Sequence, residues 1–331
     1  MFKSIIVIRS LYNRTLMQYT VVIRTLGMAG EKYQRMLDSL NQQTLPPEAI
    51  LVYIAEGYPI PKETIGKEQY IYVKKGMVAQ RALSYHEVQT EYILFLDDDV
   101  YLAPNSVETL YQQLQENQGN VISPDVFPNA ERPLKTELLM TISGRMRVRR
   151  LDKIWGYKIM RTGGYSYNIH PQDVMSSQTN AGPCFFCKKE EFLRIHFEEE
   201  LWMDQQKYAL GDDQVMFYKM YLKGLRVLTS YNSGIIHLDA GSTMQSEDKV
   251  RNLIYSDFRF KTIFWHRFIW QCEKSLLLKL WSIVCIIYTF GFALGISILK
   301  GEWKIFQLKR DAIKDGIAFI HSESYKKLPR I

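Results

Sequence analysis

An apolar segment that runs directly into three aspartates constrains the fold of this chain more than any other feature. Residues 91–100 read EYILFLDDDV, and Tyr92–Leu96 are the residue types of a strand that is buried on both faces of a sheet. Because such a strand cannot carry three carboxylates, we expect Asp97, Asp98 and Asp99 to lie just past its carboxyl end. In open α/β sheets, ligands bind in the crevice beyond those ends.

The three adjacent carboxylates predict a cation site. Like charges this close repel one another unless a cation or hydrogen-bond donors compensate them. Carboxylate oxygens suit Mg²⁺ and Mn²⁺, and such ions usually bind substrate phosphates as well. The alternative is an acidic turn ahead of the helix that is predicted to begin near Pro104 and Asn105.

Strands and helices alternate along the first 123 residues, which predicts an α/β fold with a mainly parallel, doubly wound sheet. The predicted strands are Thr20–Arg24, Ala49–Ile54, Gln69–Val73, Glu91–Leu96 and Asn120–Ser123. The predicted helices are Glu31–Gln42, Met77–Val88 and Asn105–Leu114. After Pro124 the pattern is less regular, and it resumes with strands at Gly182–Cys187 and Leu225–Ser230 and a helix over Asp212–Tyr221.

The positive charge of the chain is concentrated in its last quarter. Residues 1–251 contain 29 Lys and Arg against 29 Asp and Glu, whereas residues 252–331 contain 13 against 6. Within that quarter the 20 residues Leu280–Leu299 carry no charge, and Lys279 and Lys300 flank them. A helix of this length matches the thickness of a bilayer core, and its basic flanks predict contact with an anionic membrane face rather than with nucleic acid. The helix could cross the membrane, lie along it or be buried in a soluble core.

Six segments, in order along the chain, resemble the family-2 inverting glycosyltransferases of the GT-A fold. They are VVIRTLG, SLNQQTLPPEAILVYIAEG, QRALSYHEVQTEYILFLDDDV, TNAGPCFFCKKEEF, GDDQVMFYKMYLKGLRV and HLDAGST. The resemblance extends from about Tyr19 to Ser242 and implies a GT-A doubly wound mixed sheet. The apolar run and its basic flanks predict that a C-terminal helical, membrane-associating tail follows this sheet. The implied domains are an N-terminal extension (1–18), a glycosyltransferase domain (19–250) with nucleotide-sugar (19–123) and acceptor (124–250) halves, and a basic, apolar helical region (251–331).

The resemblance also implies roles for individual residues. Asp99 corresponds to the direct metal ligand, with Asp97 and His237 completing the metal site. Asp213 corresponds to the general base, and Asp212 takes that role if the register differs by one residue. The implied nucleotide-sugar-binding residues are Arg24, Thr25, Glu56, Arg81, Asp97 and Asp98. The implied acceptor-side residues are Asn180, Ala181 and Gly182.

Four positions depart from the family pattern. Arg24 stands where the family usually has proline, and Glu56 stands where an aspartate commonly contacts the nucleotide. Ala82 replaces an asparagine, and Asp212 replaces a glutamate with the charge retained.

The function that the resemblance implies is transfer of a sugar from a nucleotide-diphosphate donor to a glycan or lipid-linked acceptor, in cell-surface polysaccharide synthesis. Such a reaction needs Mn²⁺ or Mg²⁺ to compensate the leaving diphosphate and a base to deprotonate the acceptor hydroxyl. The expected location is the cytoplasmic face of the inner (plasma) membrane, and no nucleic-acid partner is expected. The alternative is a catalytically silent nucleotide-sugar-binding or assembly subunit of a glycan-synthesis complex.

Overall fold

The computed structural model describes residues 17–127, 132–208, 210–238 and 246–331. These residues form two compact units that are interleaved in sequence. Of the described residues, unit 1 comprises 17–127, 181–196 and 230–238. Unit 2 comprises 132–180, 197–208, 210–229 and 246–331. The predicted N-terminal extension lies almost wholly outside the described residues, and the domain boundaries stay a prediction.

The regular elements are numbered in chain order. The strands are β1 (Tyr19–Thr25), β2 (Ala49–Ala55), β3 (Glu68–Val73), β4 (Tyr92–Asp97), β5 (Val100–Leu102), β6 (Val121–Pro124), β7 (Met146–Arg149), β8 (Tyr157–Ile159), β9 (Tyr165–Asn168), β10 (Val174–Ser177), β11 (Cys184–Lys188), β12 (Val227–Ser230) and β13 (Ile235–His237). The α-helices are α1 (Glu31–Asn41), α2 (Ser106–Glu116), α3 (Leu134–Ile142), α4 (Lys189–Leu193), α5 (Asp212–Leu222), α6 (Glu247–Phe264), α7 (Leu276–Leu299), α8 (Trp303–His321) and α9 (Glu323–Lys326). A 3₁₀-helix spans Phe197–Gln205, and a π-helix spans Trp265–Trp270.

Unit 1 is built on a mixed, mainly parallel sheet. Its strands lie side by side in the order β6, β11, β4, β1, β2, β3. The strands β4, β1, β2 and β3 run parallel, whereas β11 is antiparallel to both β4 and β6. Tyr92–Leu96 in β4 and Ile50–Ala55 in β2 are buried throughout, as a strand covered on both faces requires. The predicted α/β fold with a doubly wound mixed sheet is therefore confirmed.

The prediction of a helix over Met77–Val88 is wrong, because this segment is a series of turns. Tyr85 has a φ of 50°, a left-handed conformation that ends any helix. Its ring is buried edge-on against Tyr53 and Phe95, at centroid distances of 5.6 and 5.3 Å. The gain from burying this aromatic side chain outweighs the local helical preference of the segment.

Unit 2 combines small sheets with a helical C-terminal region. Its three-stranded sheet has the order β7, β9, β8, and β10 lies beside β12. Helices α6 and α8 pack closely, since a Cβ on Gly316 would lie 2.7 Å from Cβ of Thr262. The Arg259 Nε also donates a hydrogen bond of 2.7 Å to the Asp315 carboxylate, which ties the two helices together.

Helix α7 is apolar, and one of its faces is packed against the rest of unit 2. The side chains on that face are small or medium in size, namely Ser282, Ile286, Thr289 and Ser297. The opposite face is exposed, with Leu280, Val284 and Ile287 between 50 and 64% accessible. Among the described residues, α7 is the one helix whose length and composition would allow it to cross a membrane, and 22% of its apolar window is buried. The alternative of a helix buried in a soluble core therefore does not fit.

A buried ion cluster joins three elements of unit 2. Glu200 of the 3₁₀-helix accepts hydrogen bonds from Lys219 Nζ (2.9 Å) and Arg267 Nη2 (2.8 Å), and Trp202 Nε1 also donates to it (2.8 Å). The Glu200 and Lys219 side chains are fully buried, and Arg267 is 2% exposed. Burial alone would raise the pKa of Glu200, but the Arg267 hydrogen bonds and the Lys219 charge lower it. The carboxylate is therefore ionised and compensates two buried cations.

We predict that Glu200→Gln lowers the free energy of unfolding by about 3–5 kcal/mol, because it leaves two buried cations with less negative charge. Urea unfolding followed by circular dichroism measures this change. Glu323→Gln is the matched control, since Glu323 and its partner Lys326 are 78 and 58% exposed and their pair contributes about 0–1 kcal/mol. Equal, small effects of the two substitutions would contradict the prediction.

Candidate active site

The carboxyl ends of β1 and β4 lie side by side and bring an arginine against the first aspartate of the acidic triplet. The parallel register pairs Arg24 with Asp97, which is the last residue of β4 rather than the first residue beyond it. Arg24 Nε donates to Asp97 Oδ1 at 2.5 Å, and Nη2 donates to Oδ2 at 3.0 Å. Two parallel hydrogen bonds between a guanidinium and a carboxylate fix both side chains in orientation. The structure thus brings together two of the predicted donor-binding residues.

Arg81 adds a second positive charge at the same point. It is only 3% exposed, its Nη2 donates to the Gly182 carbonyl oxygen at 2.7 Å, and it lies 3.7 Å from Asp97 Oδ1. Burial alone would raise the pKa of Asp97, but Arg24 and then Arg81 hold it below its ordinary value. Asp97 is therefore an ionised carboxylate whose charge is already compensated by protein groups.

Asp98 is tied to the turn that follows β1. The Thr25 hydroxyl donates a short hydrogen bond to the Asp98 carboxylate, and Gly27 N–H donates to Thr25 Oγ1 at 2.8 Å. The turn requires glycine at position 27, where φ is 69° and a Cβ would lie 2.0 Å from the Pro59 carbonyl oxygen. Burial, followed by the charges of the neighbouring aspartates, raises the pKa of Asp98 to about 6.

Asp99 lies beside the predicted histidine ligand. Strand β13 pairs antiparallel with β5, which places His237 opposite Val100, and Leu238 N–H donates to the Asp99 carbonyl oxygen at 2.8 Å. As a result His237 Nε2 is 3.1 Å from Asp99 Oδ1. The ring of Phe127 covers the imidazole at a centroid distance of 5.0 Å. Two short strands that are far apart in sequence therefore build this pair.

The Asp99–His237 pair fits part of the coordination sphere of a divalent cation. Within the described ranges, no group of three or more His, Cys, Asp or Glu side chains is arranged to hold a metal ion. Asp97, the third predicted ligand, is engaged by Arg24. A carboxylate oxygen suits Mg²⁺ or Mn²⁺, neutral imidazole is a common metal ligand, and ions bound by few side chains commonly complete their coordination with substrate phosphates and water. The residues present thus fit a metal that is bound together with a diphosphate.

The other predicted residues of unit 1 lie close to the ends of strands. Glu56 directly follows β2 and is exposed. The Ala181 carbonyl oxygen accepts a hydrogen bond from Ser123 Oγ at 3.1 Å, and Gly182 is the residue whose carbonyl binds Arg81. These two backbone positions precede β11, the strand next to β4.

Three predicted site residues belong to unit 2. Asn180 is buried, and its Nδ2 donates to Thr229 Oγ1 at 3.1 Å. Asp212 and Asp213 form the first turn of α5, which follows Gly211 with a φ of 86°. A Cβ on Gly211 would lie 2.4 Å from the Phe260 ring, so this helix start requires glycine. Asp212 is 8% exposed, whereas Asp213 is partly exposed.

The pairing of Arg24 with Asp97 was not predicted from the sequence. Arg24 was assigned to the donor, whereas it pairs with Asp97, and Arg81, for which both phosphate and the aspartates were possible partners, lies 3.7 Å from the same carboxylate. Gly27 was not singled out, although it fixes the turn that carries Thr25. The sequence does contain a signal for this turn. Gly27 lies two residues after Thr25, a hydroxyl residue at the end of a predicted strand.

Comparison with known families finds a match over the part of the chain that contains the acidic triplet. Residues 69–170, about a third of the chain, match the model described as Glycosyl transferase family 2, and this region contains the complete acidic triplet. This segment is similar to glycosyl transferase family 2. The predicted resemblance and the predicted enzyme class, a glycosyltransferase, are therefore confirmed. No curated protein matches the sequence.

Solved structures show the same fold at low sequence identity. The first 349 residues of S. aureus TarS superpose with a TM-score of 0.52 at 12% identity, over 93% of this chain and 82% of that one. This similarity confirms the GT-A fold. A structure of GalNAc-T7 with UDP, GalNAc and Mn²⁺ is also similar, with a TM-score of 0.46 and 12% identity over 80% of this chain. The chain spans about half (53%) of the GalNAc-T7 chain.

We predict that Asp98→Asn stabilises the metal-free protein at neutral pH. Because the pKa of Asp98 is about 6 in the folded state and about 4 in the unfolded state, the folded state is stabilised by protonation and loses this stability as the pH rises through 6. The variant should be more stable than the parent by about 2 kcal/mol at pH 7.5, and the difference should vanish near pH 4.

Urea unfolding in EDTA at several pH values measures this difference. Asp38→Asn on α1 is the control, because Asp38 is exposed and its hydrogen bond to Gln34 is a surface contact. A variant that is less stable than the parent at pH 7.5 would mean that the Thr25 hydrogen bond outweighs the repulsion between the carboxylates.

Proposed function

We propose that this glycosyltransferase moves a sugar from a nucleotide-diphosphate donor to a glycan or lipid-linked acceptor, with inversion and with help from Mn²⁺ or Mg²⁺. The observation that carries the proposal is the Asp99–His237 pair, 3.1 Å apart, beside the ends of β1 and β4. The pair lies where open α/β sheets bind ligands, and Asp99 falls within residues 69–170, which match the family 2 model.

On the donor side, the protein contributes positioned charge. Arg24 is held in place by Asp97 and by the Met77 carbonyl oxygen, which accepts from its Nη1 at 3.3 Å, so its positive charge is fixed at the donor side. Asp99 and His237 Nε2 would hold the metal ion, which when bound stabilises the negative charge that develops on the leaving diphosphate. The remaining carboxylate, Asp98, accepts from the Thr25 hydroxyl and is oriented by it.

On the acceptor side, Asp213 is the proposed general base. Both Asp212 and Asp213 lie in the first turn of α5. A base must reach the acceptor hydroxyl whose proton it removes. Asp213 is partly exposed and Asp212 is 8% exposed, so we assign the base to Asp213.

Substitutions on the two sides should separate donor chemistry from proton transfer. We predict that Asp99→Asn weakens metal-dependent donor binding and lowers nucleotide release at least tenfold. Asp213→Asn should retain donor and metal binding but lower sugar transfer about 10²–10⁴-fold, since it removes the base. Nucleotide release from UDP-, GDP- and dTDP-sugars, with Mn²⁺, Mg²⁺ or EDTA, measures the first effect, and product formation on a glycan panel measures the second.

Asp38→Asn is again the control and should behave as the parent does. Undiminished metal-dependent transfer by Asp99→Asn would refute the metal site. Donor binding by the parent without hydrolysis or transfer to any acceptor would instead support the silent, sugar-nucleotide-binding subunit.

We further propose that α7 lies along the cytoplasmic face of the plasma membrane rather than across the bilayer. Its packed face contacts unit 2 over most of its length. Trp265 Nε1 donates to the Ser282 carbonyl oxygen at 3.1 Å, and the Lys309 ammonium donates to Ser297 Oγ at 2.8 Å. If α7 crossed the bilayer, these partners would have to enter the hydrocarbon with it, at a high cost for Lys309. An interfacial position leaves the exposed apolar face in the lipid and the packed face on the protein.

We predict that replacing Leu280, Val284 and Ile287 with glutamine moves the full-length protein from the membrane to the soluble fraction. These three side chains are half-exposed or more, and the loss of their burial in lipid should lower the partition coefficient at least 100-fold. Flotation with lipid vesicles measures this partitioning.

Glutamine at Met28, Ile60 and Tyr72 of unit 1 is the matched control, because these three side chains are also exposed. Truncation before α7 is a poorer test, since it also removes α8 and with it the Asp315 partner of Arg259. Membrane binding that survives the α7 substitutions would refute the proposed role of this face.

A further inference from the structure

Unit 2 contains a basic cavity that the proposed chemistry does not use. Its volume is about 620 Å³, which is enough for a small organic or phosphorylated group. Five basic side chains line it, against a single acidic one. The basic residues are Arg147, Arg149, Lys158, Arg161 and Lys274, and the acidic residue is Glu273.

The basic residues are drawn together by local structure. Arg147 and Arg149 are two residues apart on β7, so their side chains leave the same face of the strand. Lys158 is the central residue of β8, and Arg161 follows that strand by two residues. Lys274 lies between the π-helix and α7. The cavity therefore collects cations from three separate parts of the chain.

Much of this positive charge is not compensated by the protein. Arg161 Nη1 pairs with Glu273 at 2.8 Å, and Arg149 pairs with Asp152. Arg147 and Lys274 make no ion pair with any residue that the structure describes, and both are exposed. Like charges so close together are unfavourable unless an anion joins them, so the cavity is suited to an anionic ligand.

Arginine pairs in a concave site favour phosphate. A guanidinium presents parallel N–H groups that match two phosphate oxygens, and a diphosphate can engage several such groups at once. The acidic turn of unit 1 suits a cation, whereas this basic cavity suits an anion. The two places are therefore expected to bind different chemical groups.

The position of Lys274 indicates what carries the phosphate. Two residues after it, Leu276 and Leu277 begin α7 and are 69 and 77% exposed. Arg161 of the cavity also donates to the Leu278 carbonyl oxygen at 3.4 Å, so the cavity opens beside the start of the apolar helix. A ligand that has both an anionic head and a hydrocarbon chain satisfies both surfaces.

We propose that this cavity binds the phosphate or diphosphate head of a membrane lipid, as the carrier of a lipid-linked acceptor would present it. This inference rests on the proposed membrane contact of α7 and deepens the acceptor side of the proposed function. Binding here would hold a lipid-borne acceptor at the membrane surface, while its sugar end extends away from the bilayer.

The experiment measures flotation of the full-length protein with vesicles of matched charge. One set contains phosphatidylcholine with phosphatidic acid, which presents a phosphate monoester, and the other contains phosphatidylserine at equal surface charge. We expect at least tenfold tighter binding to the phosphatidic acid vesicles. Inorganic pyrophosphate should compete with this preference and reduce binding to the level of the phosphatidylserine vesicles.

Two double variants separate the cavity from general attraction to the membrane. Arg147→Gln with Lys274→Gln should abolish the preference for phosphatidic acid. Lys300→Gln with Lys304→Gln removes the same charge from exposed positions outside the cavity lining and should keep the preference. Equal losses in both double variants, or no preference in the parent, would overturn the proposal.

Three measurements distinguish a failure of the proposed lipid-head binding from a failure of the proposed function. Donor nucleotide release without acceptor reports on unit 1 and should be unchanged in both double variants. Failure of the parent to bind any vesicle would refute the membrane contact of α7. Calorimetric binding of pyrophosphate that depends on Arg147 and Lys274, with no preference among vesicles, would assign the cavity to a soluble phosphate and overturn the lipid assignment.

Discussion

The ion pair between Arg24 and Asp97 is the interaction on which the geometry of the donor side depends. It joins the ends of β1 and β4, and it fixes the residues that follow on both strands, Thr25 and Asp98. Because Asp97 is compensated within the protein, the charge that remains for a cation is that of Asp99 beside His237, joined by that of Asp98 above its pKa of about 6. One arginine at the position where the family usually has proline thus divides the acidic triplet into a structural and a ligand-binding part.

Sequence patterns predicted the features that depend on local burial. The uninterrupted apolar run of β4 placed the three aspartates at the edge of the sheet, and the glycine before Asp212 and Asp213 agrees with the start of α5. The helix expected over Met77–Val88 was wrong because its conformation follows from the burial of Tyr85 against residues of other strands. Local propensity carries no information about such distant contacts.

The pairings within the site depend on strand order, which the sequence does not reveal. Arg24 and Asp97 are 73 residues apart, and they meet because β4 rather than β2 flanks β1 on that side. The basic cavity likewise combines β7, β8 and the segment before α7. In the sequence, Arg147 and Arg149 could equally belong to a solvated surface segment, and only the fold adds Lys274 to them.

The interleaving of the two units has a consequence for biosynthesis. The chain passes between them five times, and β11, which lies between β6 and β4, comes only after a long excursion into unit 2. When residues 17–127 have left the ribosome, the sheet of unit 1 still lacks this inner strand, and edges of β4 and β6 are unpaired. Neither unit is a contiguous segment that could be made separately. The nascent chain must therefore stay protected from aggregation until most of it has been synthesised.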